Sequence, residues 1–325
     1  MQISRVAIIG AGLAGLAAAR SLAASDIVTR IYDKGRGPGG RLATRRLELA
    51  GHAVYFDHGA QYLTSRGRVF GAMLRMVGAR PWPEEGRFVG TPRMSNIARS
   101  LSDGLDLALS RQVTAIVGEP GAWRVQHLDA NLARPGRPLP DVAPTEDGPF
   151  DAVLVTAPAP QAAALLAKPA PRLVDLMQKV VIAPCWTLMA AFDRRPVLPD
   201  WQRLEGGPLA WIARDSAKPG REPGQENWIG QASAAWTREH LELSAEQALP
   251  LLLAALAAHA GGSLPPPLLA QAHRWRYALV ETALGVPCLW EPALGIGAAG
   301  DWCIGRRAED AVDSGVALAA ALRRA

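Results

Sequence analysis

A chain of 325 residues, 49% of them hydrophobic, is long enough for one large domain or two ordinary ones around a sizeable core. The formal charge of +5 is scattered, with isolated pairs such as Arg45-Arg46, Arg194-Arg195 and Arg306-Arg307 in place of a basic run, which argues against a nucleic-acid partner. Three cysteines (Cys185, Cys288, Cys303) and histidines without metal-ligand spacing exclude a disulfide framework and a zinc site, suit a reducing cytosol, and accompany no apolar run of bilayer-spanning length.

Residues 6–9 read as a strand, followed by the turn Gly10-Ala11-Gly12-Leu13-Ala14-Gly15 and a small-residue helix over 16–24. A second strand, 28–32, runs into Asp33. Strand, glycine turn, helix, strand and acid in this order lift G-x-G-x-x-G above a chance match to a dinucleotide site. Gly10 allows the turn, Gly12 lets the backbone approach a pyrophosphate, and Gly15 lets helix and strand pack closely. The N–H groups at the helix start, at Leu13 and Ala14, face the phosphates, and Asp33 accepts from an adenosine ribose. Signal-peptide cleavage near Ala23-Ala24 would destroy this unit, so the apolar start is read as structure.

Helices are predicted over 68–78 and 95–101, and 111–117 alternates as a strand carrying Val113. Residues 121–128 and 150–156 are expected to pair across a loop holding Pro135, Pro138, Pro140 and Pro144, to which no role is assigned. The second of these strands leads to Thr156. From about residue 159 the character changes: seven of the ten tryptophans lie between Trp186 and Trp290. Strand-like runs at 185–192, 208–213 and 227–232, with a helix over 246–258, predict a sheet and its covering helix. The tryptophans read first as core and second as the walls of a flat substrate slot. A short strand at 297–300, the run Gly300-Asp301-Trp302-Cys303 and a helix over 309–323 close the chain.

Pro38-Gly39-Gly40-Arg41, just past the acid, together with the Gly300-Asp301 ending, selects FAD over a nicotinamide cofactor. Asp301 is expected to hold the ribityl or pyrophosphate. The last helix, Val312 included, aims its positive end at the flavin pyrimidine, an effect worth tenths to about 2 kcal/mol. Cys303 beside Trp302 invites a covalent flavin link, but a small buried side chain is the preferred reading, so the FAD is expected to be non-covalent.

Asp33-Lys34, Gly39-Gly40-Arg41, Phe56-Asp57-His58-Gly59-Ala60-Gln61-Tyr62, Ala232-Ser233 with Trp236 and His240, His273-Arg274-Trp275 and Ala299-Gly300-Asp301-Trp302-Cys303 together resemble bacterial renalases. These are small FAD enzymes related in fold to the flavin amine oxidases and p-hydroxybenzoate hydroxylase. The likeness covers nearly the whole chain in order, residues 134–149 excepted, and departs from the family at Asp310, where a glycine is expected. It implies an α/β fold: a Rossmann-like FAD-binding domain of the p-hydroxybenzoate hydroxylase/amine oxidase type from 1–68, 95–160 and 283–325, with an inserted α+β substrate domain from 69–94 and 161–282. It implies FAD held by Gly10, Gly12, Leu13, Ala14, Gly15, Asp33, Lys34, Gly40, Arg41, His58, Gly59, Ala60, Gln61, Val113, Thr156, Gly300, Asp301 and Val312. The implied activity is oxidation of misreduced nicotinamide dinucleotides, the 2- and 6-dihydro isomers of NAD(P)H. Hydride passes to flavin N5 and then to O2, giving NAD(P)+ and hydrogen peroxide. No metal, nucleic acid or membrane partner is expected, and the setting is cytoplasmic.

Hydride transfer needs positioning more than acid–base machinery. By motif, Gln61 can hydrogen-bond flavin or a substrate amide, Tyr62 can cap the pocket, and Trp275 sits beside Arg276 and Arg274, either of which can meet a substrate phosphate. His240 joins this candidate set; packing or solvent-facing charge is the structural alternative for each member. Lysine is scarce: Lys34, Lys168, Lys179 and Lys218 stand against thirty-one arginines. Flavin amine oxidases place a lysine near N5 from a strand matching 185–192, which has none here, and Lys179 lies upstream. A flavin amine oxidase is therefore the second reading, and a sensing or non-catalytic flavoprotein the third.

Overall fold

Val6, Ala7, Ile8, Val153 and Leu154 expose no surface at all, as strands covered on both faces of a parallel sheet must be. They belong to a computed structural model that describes residues 3–132 and 140–325. Two compact units emerge: Met1–Gly40, Ala98–Val181 and Val280–Ala325 form the first, Arg41–Ile97 and Ile182–Leu279 the second.

The first unit is built on a six-stranded sheet in the order Leu289–Glu291, Ile296–Ala298, Ala152–Val155, Arg5–Ile9, Val28–Tyr32, Asp106–Ala108. Every neighbouring pair is parallel except the first, which is antiparallel. From Arg5–Ile9 the chain winds outward through Val28–Tyr32 and Asp106–Ala108, then returns to the other side as Ala152–Val155. The point where the order reverses therefore lies between Arg5–Ile9 and Ala152–Val155, at their carboxyl ends Gly10 and Thr156, where open α/β sheets bind ligands. The helices Leu13–Ala23 and Ala308–Arg323 pack so closely that a Cβ on Gly315 would run into the Ala14 carbonyl.

A three-stranded antiparallel sheet, Arg111–Val117, Trp123–Asp129 and Thr145–Phe150, completes this unit. Its last strand corrects the sequence expectation, which paired 121–128 with 150–156. The polar residues 145–150 form the hairpin partner instead, because the wholly apolar Ala152–Val155 is buried on both sides in the parallel sheet. Residues 133–139 of the proline-rich loop lie outside the described residues.

The second unit contains a five-stranded sheet in the order Trp201–Arg203, Leu209–Arg214, Glu226–Ala232, Val181–Phe192, Pro267–Thr282. Strand alternation sorts its side chains cleanly. Trp186, Leu188, Ala190, Phe192, Ile212 and Trp228 face the helix Ala245–His259 through Ala248, Leu252 and Leu256. Met189, Ala191 and Ile229, on the opposite face, pack against Val54 and Phe56 of the hairpin Arg45–Leu49/His52–Phe56. Ser244 and Gln247 close a reciprocal cap at the start of the covering helix, with Gln247 N–H donating to Ser244 Oγ (3.2 Å) and Ser244 N–H to Gln247 Oε1 (2.8 Å).

The contacts divide the chain differently from the expected boundaries. Residues 41–68 group with the second unit, because their hairpin buries its apolar face on that unit's sheet. The helices Ala159–Leu166 and Pro171–Met177 group with the first. Of the 16-residue strand Pro267–Thr282, the sequence marks only the motif His273-Arg274-Trp275. No helix among the described residues is long and apolar enough to cross a membrane.

Candidate functional site

At the reversal point of the first unit, three glycines serve three purposes. Gly10 has a φ of 115°, in the left-handed region, and a Cβ there would stand 2.9 Å from Thr156 Oγ1. Gly15 is fixed by packing, since a Cβ would collide with the Gly10 carbonyl. Gly12 is extended, at φ −76°, and no protein atom lies within 4 Å of a Cβ built on it. Protein packing therefore does not account for glycine at that position, whereas a ligand approaching the backbone does. The helix that follows has no side-chain cap and no acidic residue in its first turn, so its leading N–H groups, through Leu13 and Ala14, suit an anion. These features fit the pyrophosphate of a dinucleotide.

Asp33 holds the turn in place: its Oδ2 accepts from Ala11 N–H (2.6 Å) and its Oδ1 from Gly35 N–H (2.6 Å). Each oxygen keeps a lone pair for a ribose hydroxyl. Gly39 N–H donates to Ala11 O (2.8 Å), bringing Gly40, at φ 54°, within 3.7 Å of Gly12 Cα when a Cβ is added. Thr156 Oγ1 donates to Gly10 O (2.9 Å), and Trp302 Nε1 to Ala157 O (3.1 Å), so the final Gly300-Asp301-Trp302 run meets the same strand ends. Gly300 N–H donates to Ser314 Oγ (3.0 Å), tying that run to the last helix, in which Val312 is half-buried. Asp301 is buried, Val113 is buried in its strand, and Lys34 is exposed. At the position expected to be glycine, Asp310 is buried and accepts from Arg307 N–H (2.9 Å), capping the last helix.

The other expected cofactor residues lie in the second unit. Arg41 Nη1 donates to Ala278 O (3.1 Å). Gly59 cannot carry a Cβ because the Arg41 carbonyl occupies that place, and Ala60 N–H donates to that carbonyl (2.9 Å). The His58 ring meets His273 and Trp275 at centroid distances of 4.8 and 4.9 Å, and Trp275 Nε1 donates to His58 O (3.0 Å). Burial, the neighbouring His273 and Arg45 push the His58 pKa down to about 3; burial and Arg45 push His273 down to about 4. Both rings are neutral at pH 7, so this corner is aromatic and uncharged.

Gln61, expected to hydrogen-bond flavin or a substrate amide, makes several hydrogen bonds within the protein. It is 5% exposed, its Nε2 donates to Asp57 O (2.5 Å) and Gly59 O (3.1 Å), and its Oε1 accepts from Lys218 Nζ (3.2 Å). Both donors are spent within the loop 57–61, leaving one acceptor lone pair. Gln61 is a strut. Tyr62, half-buried, takes a hydrogen bond from Arg203 (2.9 Å) and packs 5.5 Å from Trp211.

Trp275 and Arg276 are expected to act together, and the strand separates them. Adjacent residues point to opposite faces. Trp275 lies with His58 on the loop-bearing face, whereas Arg276 pairs bidentately with Glu242 (2.9 and 2.9 Å) and is exposed. Arg274 follows Arg276, reaching the Leu241 carbonyl with its guanidinium 5.4 Å from the Trp186 ring. His240 stacks on Trp236 at 4.2 Å, and its carbonyl receives Trp186 Nε1 (3.0 Å). Arg276, Arg274 and His240, expected to meet substrate, thus share the face opposite Trp275 and make contacts within the protein.

Sequence reasoning missed a buried ion network. Lys218 Nζ stands 2.5 Å from Asp215 Oδ1 and 3.5 Å from Asp57 Oδ2, and Arg221 Nη2 also contacts Asp57 Oδ2. Burial raises the Asp57 carboxyl, but Lys218, Arg221, the Thr44 hydroxyl and the Met94 N–H more than offset this and hold it below the usual range. Burial, reinforced by the Asp57 charge, holds Asp215 above it despite Lys218. The only available signal was the rarity of lysine; nothing local joins Asp57 to residues some 160 positions away. Among the described residues no His/Cys/Asp/Glu group could hold a metal ion.

Residues 82–323 match the family described as flavin containing amine oxidoreductase, and residues 8–77 match the NAD(P)-binding Rossmann-like domain. The fold is similar to a structure named "Putative protoporphyrinogen oxidase" from Exiguobacterium sp. 255-15, at a TM-score of 0.72 and 14% identity, covering 100% of this chain and 99% of that one. It is also similar to putrescine oxidase: a double mutant redesigned in its cofactor binding (TM-score 0.67, 14% identity, 99% and 100% covered) and the wild type bound to putrescine (0.64, 13%, 100% and 100%).

Proposed function

Because this chain belongs to the flavin-containing amine oxidoreductase family, we propose that it is an FAD-dependent oxidase of misreduced dihydronicotinamide dinucleotides, taking the 2- and 6-dihydro isomers to NAD(P)+. In this reading the second unit binds substrate and O2 is the electron acceptor. FAD, when bound, supplies the hydride acceptor and its reoxidation by O2 yields hydrogen peroxide. The glycine turn, the uncapped start of the helix Leu13–Ala23 and Asp33 hold the dinucleotide; Val113, Thr156 and Asp301 complete the set. The link is non-covalent: burial pushes the Cys303 thiol up to about 12, which keeps the nucleophilic thiolate scarce.

The observation that carries this reading over amine oxidation is the fate of lysine. Lys218 is the sole lysine of the second unit's sequence, and its side chain is wholly buried among Asp57, Asp215 and Gln61. It is committed to holding the 57–61 loop, and the strand Val181–Phe192 supplies no replacement. Trp275 and the neutral His58–His273 pair offer flat apolar surface, suited to orienting a planar ring and excluding water.

The test is anaerobic mixing of the FAD-loaded protein with dihydronicotinamide isomers generated by borohydride. The 2- or 6-dihydro isomers should bleach the flavin rapidly, ordinary NADH slowly and monoamines not at all. A shift of one ring position breaks the near-attack separation of about 3–3.5 Å that hydride transfer demands. Rapid bleaching by an amine, with none by the isomers, replaces this reading with amine oxidation; no bleaching by either points to a sensing flavoprotein.

A further inference from the structure

Trp201–Arg203 pairs antiparallel with Leu209–Arg214 in a register that sets Arg203 opposite Trp211 and Trp201 opposite Ala213. Strand alternation therefore places Trp201, Arg203 and Trp211 on one face, the one that also carries Gln231, whose Nε2 donates to Gly59 O (2.7 Å). Trp201 and Trp211 stack, with centroids 5.3 Å apart and ring planes 25° from parallel. A second element reaches the same spot. In the small sheet of Leu63–Thr64, Arg87–Val89 and Arg80–Pro81, Arg87 lies opposite Thr64, just after Tyr62. Its guanidinium sits 4.5 Å from the centre of the Tyr62 ring and 5.4 Å from that of Trp201.

The hydrogen-bonding balance of this cluster is lopsided. Arg203 donates to the Tyr62 hydroxyl (2.9 Å), and Arg87 Nη2 pairs with Glu84 (2.7 Å). Arg87 Nη1 and Trp211 Nε1 are buried without a partner among the described residues. Both are donors, so an acceptor-rich group is what they lack. Two guanidiniums, one of them paired with Glu84, beside three aromatic rings suit an anion attached to a flat base.

We propose that Arg87, Arg203, Tyr62, Trp201 and Trp211 form a nucleotide subsite that binds a ribonucleotide by its phosphate and its base. This rests on the reading of the substrate as a dinucleotide, and it assigns to this cluster the nucleotide half that does not react. The guanidiniums hold the phosphate, and a base packs against Trp201, the less buried of the two tryptophans. It replaces Arg274 and Arg276 as the phosphate-binding arginines.

The probe is 5′-AMP, titrated into FAD-loaded protein and followed by calorimetry. Wild type should bind AMP saturably; Arg203→Gln and Trp201→Leu should each weaken binding by about tenfold, and Arg203→Lys by less, all with unchanged FAD content. In anaerobic flavin reduction, Arg203→Gln should raise the half-saturating concentration of the dihydronicotinamide dinucleotide about tenfold and leave that of the corresponding mononucleotide unchanged. Absence of AMP binding by wild type overturns the subsite, as does binding indifferent to both Arg203→Gln and Trp201→Leu. Failure of both dihydro isomers to reduce wild-type flavin overturns the functional reading instead, and the AMP titration then decides the subsite alone.

Discussion

At the glycine turn of the first unit, the groups offered to a ligand are peptide N–H groups and bare Cα atoms from one stretch, residues 10–15. In the sites proposed for the second unit they are side chains, gathered from Tyr62, Arg87, Arg203, Trp211 and Trp275 across some 210 residues of chain. A backbone-built site is indifferent to most side chains but intolerant of an added Cβ. A side-chain-built site depends on a sheet whose alternation presents the correct face, and on a buried frame that holds the facing loop. The two should therefore fail in different ways.

The largest contrast is expected from Gly12→Val. Retained FAD should fall below about one-tenth of the wild-type content after gel filtration. Unfolding of the apoprotein should move by about 1 kcal/mol or less, the scale of an altered helix N-cap, because no protein atom crowds the new side chain. Full flavin occupancy in this variant would show that the turn does not face the cofactor.

Lys218→Met should produce the reverse pattern. Removing one member of a buried ion network leaves Asp215 and Asp57 partly uncompensated, at about 3–5 kcal/mol. Denaturant unfolding should register this loss, and Asp215→Leu in the same chain should recover more than half of it. A loss under about 1 kcal/mol would mean that the network does not hold the 57–61 loop.

The smallest effect concerns pH. His58 and His273 have folded pKa values of about 3 and about 4, below the ordinary value of 6.5, so the unfolded chain binds more protons between these limits. Their contribution is fully present above about pH 6.5 and declines as pH falls toward 4, by up to about 1.4 kcal/mol per pH unit for each ring. Urea midpoints taken from pH 7 to 4.5 should fall less steeply in His273→Gln than in wild type. Parallel slopes would contradict the neutral aromatic corner.

The motif at residues 10–15 with Asp33, the terminal Gly300-Asp301 run and the strands and helices around them were all legible beforehand, because their meaning lies in spacing along a few turns of chain. The two-sided burial that separates 152–155 from 145–150 was also written in composition, although the expected pairing overlooked it. Gln61 shows where such reading stops: its place in a motif suggested a hydrogen bond to flavin or a substrate amide, and only the structure reveals its hydrogen bond from Lys218, 157 residues away.

Sequence by itself marked the glycine turn as a candidate dinucleotide site and the chain's ending as flavoprotein-like, because backbone conformation and helix starts are set by near neighbours. Tertiary structure alone decided that Trp275 and Arg276 part company, that Arg87 and Arg203 converge on Tyr62, and that Asp57, Asp215, Lys218 and Arg221 neutralise one another out of water. Strand register and burial fix those relations. Both depend on which distant segments pack together, and a charge reveals its partner only when that packing removes the solvent between them.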